Sequence, residues 1–225
     1  MNMRRLKLNS FVWSLLALSA FALILSVFRI TYTDTNRYWF LIWNLVLAWL
    51  PLIFAWLLYK RTPKGLIWSW QNFGYFILWL VFLPNAFYLV SDFIHIHITG
   101  EINLMYDVIL FSTYAWCGFI LGYYSLYLVH KKALQRFGQK AHWLIIGSLL
   151  LSGFAIYLGR YLRWNSWDII FNPIGLIFDV TDRLINPTEH ILTFGATLLF
   201  FGFLSMIYFV VWNAIKVIQN PKQSK

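Results

Sequence analysis

Six apolar runs, each long enough to cross a lipid bilayer as a helix, constrain this chain more than any other feature of its sequence. About 20 mainly apolar residues are needed to span roughly 30 Å of hydrocarbon at about 1.5 Å per residue. Residues 11–30, 39–59, 65–90, 104–129, 141–159 and 191–217 meet that length. A segment in lipid must satisfy its own backbone hydrogen bonds, which a helix does unaided. The expected fold class is therefore all-α: a polytopic membrane helix bundle of about six transmembrane helices, read as a single transmembrane domain over residues 1–225. Composition agrees, since 60% of the residues are hydrophobic and only 12% charged. A soluble surface takes about twice that charge. The lone Cys117 lies within an apolar run and excludes an intrachain disulfide.

The connecting segments set the orientation. With six spans, both termini, the second–third connection and the fourth–fifth connection share one side, and they hold 13 of the 18 Lys and Arg residues. Basic residues accumulate in cytoplasmic loops, so both termini are expected in the cytoplasm, with the chain in the cell membrane. The net charge of +10 is split into short clusters between apolar runs, a pattern of membrane orientation and not of a nucleic-acid face. All 8 carboxylates, from Asp34 to Glu189, fall on the opposite side. Acids contribute little to topology. Their one-sidedness therefore places the chemistry at the outer surface. Arg4, Arg5 and Lys7 before the first run resemble a signal peptide, but its apolar stretch exceeds the usual core of about 7–15 residues, so a retained helix is expected.

Two polar clusters lie on that outer side. The first runs Pro84-Asn85, Tyr88, Asp92, His95 and His97. In a continuing helix, Asn85, Tyr88, Asp92 and His95 share one face. In an extended chain, His95 and His97 alternate with isoleucines and face water. Asp92 and His95 can serve as an acid–base pair, and with His97 they are candidate metal ligands; a solvated interfacial segment is the plain alternative. The second cluster holds Arg160, Arg163, Asn165, Ser166 and Asp168. Arg160 and Arg163, one helical turn apart, make a fork suited to phosphate or carboxylate. Pairing of these arginines with Asp92, Asp107 or Asp168 accounts for them equally well, and Asn165-Ser166 can also cap a following helix. Asn44, Asn85 and Asp107 lie at matching depth inside the spans, where polar groups face a partner or a cavity. The inner halves show no comparable groups, which implies a cavity open outward and closed at the cytoplasmic end.

The outer loop 160–190 is the one long connection. Within it, residues 168–180 are largely apolar but too short to span, and Pro173 interrupts them. An interfacial or re-entrant segment is expected.

Trp43-Asn44 with Ala48 and Pro51, Pro84-Asn85, Tyr88, Asp92, His95 and Tyr106-Asp107 form one part of a longer pattern. Gly118, Gly122, Ser125, Gly159-Arg160, Arg163, Asn165-Ser166-Trp167-Asp168 and Pro173 continue it. Over residues 39–201 the chain resembles a bacterial membrane family catalogued as domain of unknown function 1361; His97 stands outside its pattern. The resemblance implies a multi-spanning bacterial membrane protein and brings no activity, substrate or cofactor.

The function expected from these residues is ligand binding at the outer leaflet. Asn44, Asn85, Asp107, Arg160, Arg163, Asn165 and Asp168 would receive an anionic or polyhydroxyl group, such as a lipid headgroup or envelope precursor. A membrane enzyme using Asp92 and His95, with or without metal, is one alternative. A non-catalytic accessory subunit or transporter component is another, although neither a repeat nor an inner polar path supports transport.

Overall fold

The computed structural model describes residues 3–61, 69–98 and 100–219. Lys64, the first residues of the third apolar run (65–68), Lys222 and Lys225 lie outside them. Among the described residues, 87% are helical and none forms a strand. In chain order the helices are α1 (Met3–Thr33), α2 (Phe40–Arg61), α3 (Trp70–Ser91), α4 (Leu104–Phe137), α5 (Ala141–Tyr161), α6 (Asp168–Phe171), α7 (Pro173–Ile185) and α8 (Ile191–Gln219). Five stretches are long and apolar enough to cross a membrane. One of them, Leu104–Tyr161, contains both α4 and α5, so six long helices match the six apolar runs.

The long helices overrun the apolar runs that mark them. α4 continues to Phe137 because Lys131, Lys132, Gln135 and Arg136 are good helix formers and extend the helix beyond the apolar zone. It stops where Gly138 takes φ +54°, a left-handed conformation that glycine adopts without a Cβ clash. A single 3₁₀ turn, Gly138–Lys140, then reverses the chain into α5. Side-chain caps fix other starts: Ser69 accepts from the Asn72 amide at 3.2 Å, and Asn103 from the Met105 amide at 2.8 Å.

Helix α4 is the hub, touching α1, α2, α3, α5 and α8. Its contact with α3 is backbone-close. A Cβ at Gly118 would run into the Ala86 carbonyl, and one at Gly122 would stand 2.7 Å from the Phe87 ring. Small residues four apart let membrane helices approach in this way. Trp79, fully buried, donates to Ser125 Oγ at 3.2 Å and secures the same pair deeper in the bundle. Outward, the helices expose large apolar side chains, with Trp70 and Trp143 near helix ends, as suits a lipid surroundings with aromatic residues at headgroup level.

Pro173 does not interrupt a helix; it starts one. Asn172 Oδ1 accepts from the Gly175 amide at 3.2 Å, and Pro173 occupies the first turn of α7, where its missing N–H costs nothing. This 13-residue helix is too short to cross a bilayer. Ile174, Ile177, Phe178 and Ile185 form one exposed apolar face, while Asp179 and Asp182 lie off it.

At the basic end, the structure corrects the expectation that polar groups are missing there. Buried His130 lies 2.9 Å from Tyr208 Oη through Nδ1 and 2.9 Å from His142 Nδ1 through Nε2. His142 Nε2 is 3.0 Å from Gln139 Oε1. With the Gln139 carbonyl as acceptor, neutral rings order the chain one way: Tyr208 donates to His130, His130 to His142, and His142 to Gln139. Lys132, also buried, lies over the Tyr59 ring at 4.6 Å. These residues were hidden because they sit inside the basic hairpin, where charge reads as a topology signal.

Candidate functional site

Helix α3 passes directly into a 3₁₀ turn over Asp92–His95. The helical alternative for the first polar cluster is therefore the one realised: Asn85, Tyr88, Asp92 and His95 all line one cavity. It has a volume of about 320 Å³ and lies among the ends of α2, α3 and α5, with Asn44, Arg160 and Asn165 also on its wall. Trp43, Trp167 and Phe40 supply apolar walls, and Trp43 and Trp167 meet edge to face at 6.2 Å.

Arg160 organises the floor. Its Nη2 donates to Asp92 Oδ1 at 2.5 Å and to Ser91 Oγ at 2.7 Å, and its Nε donates to the same hydroxyl at 3.1 Å. Its Nη1 donates to His95 Nε2 at 2.7 Å, and the guanidinium lies 4.3 Å above the Tyr88 ring. Because arginine only donates, His95 Nε2 accepts, and the neutral ring keeps its proton on Nδ1. Asn44 Nδ2 donates to the other Asp92 oxygen at 3.0 Å. Asp92 is only 1% exposed, and Asn44 and Arg160 engage both its oxygens. Opposite, Asn85 Nδ2 donates to Ser166 Oγ at 2.8 Å and to the Phe82 carbonyl at 3.2 Å. Tyr88 donates to the Gly159 carbonyl at 3.3 Å.

Chemically, this is a neutral, pre-organised hydrogen-bonding floor. One Nη1–H of Arg160, the His95 Nδ1–H, one Asn44 N–H, and the amide oxygens of Asn44 and Asn85 are left over from these bonds. Asp92 and His95 do not bond each other; the Arg160 guanidinium lies between them. Two donors separated by a fixed cation do not suit a metal ion, and His97 is exposed outside the cavity. Among the described residues, no three His, Cys, Asp or Glu side chains converge on a metal-sized site.

Four predicted residues lie elsewhere. Arg163 is exposed with φ +62°, because α5 ends at Tyr161, so it forms no fork with Arg160. Asp168 accepts from the Asn165 amide at 2.7 Å and braces the turn into α6; the expected cap by Asn165-Ser166 is not formed, since Trp167 stands at the N-cap without a side-chain bond and Ser166 accepts from Asn85. His97 takes no part. Asp107 belongs to a separate network at the same end.

That network centres on Arg29, which charge counting alone did not mark as a site residue. Arg29 is 1% exposed and donates from Nε to Asp107 Oδ1 at 2.7 Å and from Nη2 to Glu101 Oε2 at 3.2 Å. Its guanidinium lies 4.2 Å from the Tyr38 ring centre, and Arg37 donates to Glu101 Oε1 at 2.8 Å. Burial and the nearby Asp107 charge push the Tyr38 phenol up, partly offset by Arg29 and Arg37. Desolvation would raise the Glu101 carboxyl, but hydrogen bonds and charge from Arg37 and Arg29 outweigh it and hold it below the usual carboxylate range. A depressed folded value stabilises the protein above the unfolded value, and that stability is lost as pH falls through the folded one. Acid unfolding of wild type should therefore steepen below the ordinary glutamate range, and Glu101→Gln should flatten that part of a thermal-stability curve against pH.

Ser166, Trp43 and Trp167 complete the cavity lining, and Ser91 holds Arg160 behind it, yet only Ser166 stood out among them as a polar site residue. The others carry no charge that sequence reading could weigh. An apolar helical bundle suited to a bilayer, with a polar cavity walled by tryptophan, is the class of protein these features define. No curated protein and no solved structure matches the chain. Residues 43–207 match the family described as "Protein of unknown function (DUF1361)", and the chain belongs to that family.

Proposed function

We propose that this protein is a multi-pass component of the cell membrane, with both termini in the cytoplasm, that seats a hydroxyl-rich headgroup in the cavity among α2, α3 and α5. The headgroup belongs to an outer-leaflet lipid or a lipid-linked envelope precursor. The observation that carries the reading is the internally neutralised floor: Asp92 cancels the charge of Arg160 and leaves unpaired donors and acceptors beside each other. A hydroxyl both donates and accepts, so it uses such a surface fully, whereas a bare anion would meet a carboxylate. Tryptophan walls add flat apolar surface for the C–H face of a sugar or polyol ring. About 320 Å³ is at the small end of ligand pockets and fits one such ring.

Native mass spectrometry of protein purified in mild detergent tests this. The expected result is a retained species with a hydroxylated headgroup. Trp43→Ala and Trp167→Ala, at partly exposed positions that leave the fold intact, should each lower its retention by about tenfold. A cavity that retains nothing, or a species indifferent to both substitutions, would refute the reading.

A further inference from the structure

A second concavity lies at the other end of the bundle, between α1, α4 and α8. It encloses about 340 Å³, and its walls are almost wholly apolar, including Phe11, Trp116, Ile120, Tyr124, Ile207 and Val211. Along α4 the lining runs from Trp116 to Tyr127, a rise of about 16 Å at 1.5 Å per residue. That is the depth of one leaflet, about half of a 30 Å hydrocarbon core. A transmembrane helix from a partner would need twice that length.

The groove is polar at one end only. There Gln219 Nε2 donates to Tyr127 Oη at 2.9 Å. Lys131 Nζ stands 5.9 Å from the centre of the Tyr127 ring, and Lys216 Nζ stands 5.3 Å from the centre of the Trp212 ring, those two rings being 5.9 Å apart. Neither lysine has a carboxylate partner among the described residues. Two cations without counter-ions thus cap an apolar channel one leaflet deep.

We propose that this groove binds a phospholipid with an anionic headgroup from the leaflet at the basic end: one acyl chain lies along α4, and the phosphate meets Lys131 and Lys216. Charge complementarity selects the headgroup, because each lysine near the membrane surface favours an anionic lipid and no acid opposes it. The groove selects the chain by its length.

The test uses the full-length protein, delipidated in detergent, with phosphatidylglycerol and phosphatidylcholine of matched chains added in native mass spectrometry. One phosphatidylglycerol per chain should be retained at least tenfold better than phosphatidylcholine. Lys131→Glu with Lys216→Glu should weaken that retention roughly thirtyfold. Ile120→Trp, which fills the groove and leaves both lysines, should abolish it while circular dichroism stays helical. If the glutamate pair folds poorly, Lys131→Gln with Lys216→Gln reads the same loss. Equal retention of the two lipids, or retention unmoved by the lysine substitutions, overturns the proposal. So does a dimer that Ile120→Trp converts to monomer, since the groove would then be an interface between copies.

Discussion

Arg160→Ala should destabilise the purified protein by about 3–5 kcal/mol, the usual cost of breaking a buried ion pair from one side. The loss comes from what remains. Asp92, 1% exposed, would keep one amide partner and no compensating charge. Ser91 and His95 would lose their donors as well. Arg160→Lys should recover little, because an ammonium cannot reach Asp92, Ser91 and His95 together in the planar fork that arginine offers. Replacing both partners, Asp92→Leu with Arg160→Met, should recover most of the stability, since an apolar pair of similar volume is often no worse than a buried ion pair. It should nevertheless empty the cavity of ligand. Thermal unfolding in detergent read beside native mass spectrometry separates the two effects. A single-substitution cost below about 1 kcal/mol, the range of an exposed pair, would show that the pair is solvated.

Arg29→Met should have a comparable or larger effect, because two carboxylates lose one cation. Asp107 is buried and would lose its arginine, while Glu101 would still have the exposed Arg37 as a cation and the Thr35 hydroxyl as a donor. Helix α1 is held mainly by α4. Arg29 to Asp107 ties the C-terminal end of α1 to the N-terminal end of α4, and the 2.7 Å contact between Ser26 Oγ and Tyr114 Oη lies one turn deeper. The substitution should therefore raise amide hydrogen exchange in the second half of α1 more than in α5 or α8. A double-mutant cycle with Asp107→Asn should give a coupling of about 2 kcal/mol or more for a close, desolvated pair. Uniform exchange across the helices would count against this clamp.

The cavity was partly legible in the sequence because it follows a helical period. Asn85, Tyr88, Asp92 and His95 recur at steps of three and four, so one helix face carries them whatever its neighbours are. The partner choices were not legible. Arg160 had three carboxylates to choose from, and only the α3–α5 packing selects Asp92. The pairing of Arg29 with Asp107 spans 78 residues and leaves no local trace. Arg163 follows Arg160 by three residues, but α5 ends between them, and a helix end is the least certain feature of a periodic reading. The inner His130–His142 contact joins residues across a tight turn, and it can be sought in any sequence by asking which polar side chains flank a predicted hairpin at equal depth.

The pairing of Arg29 and Arg160 with carboxylates has an electrical consequence. Work done by a membrane potential on a protein is about 2.3 kcal/mol per elementary charge carried across 100 mV. Arg160 and Asp92 travel together, as do Arg29 and Asp107, so each pair moves no net charge. The cavity therefore carries no gating charge, and its occupancy should be indifferent to voltage.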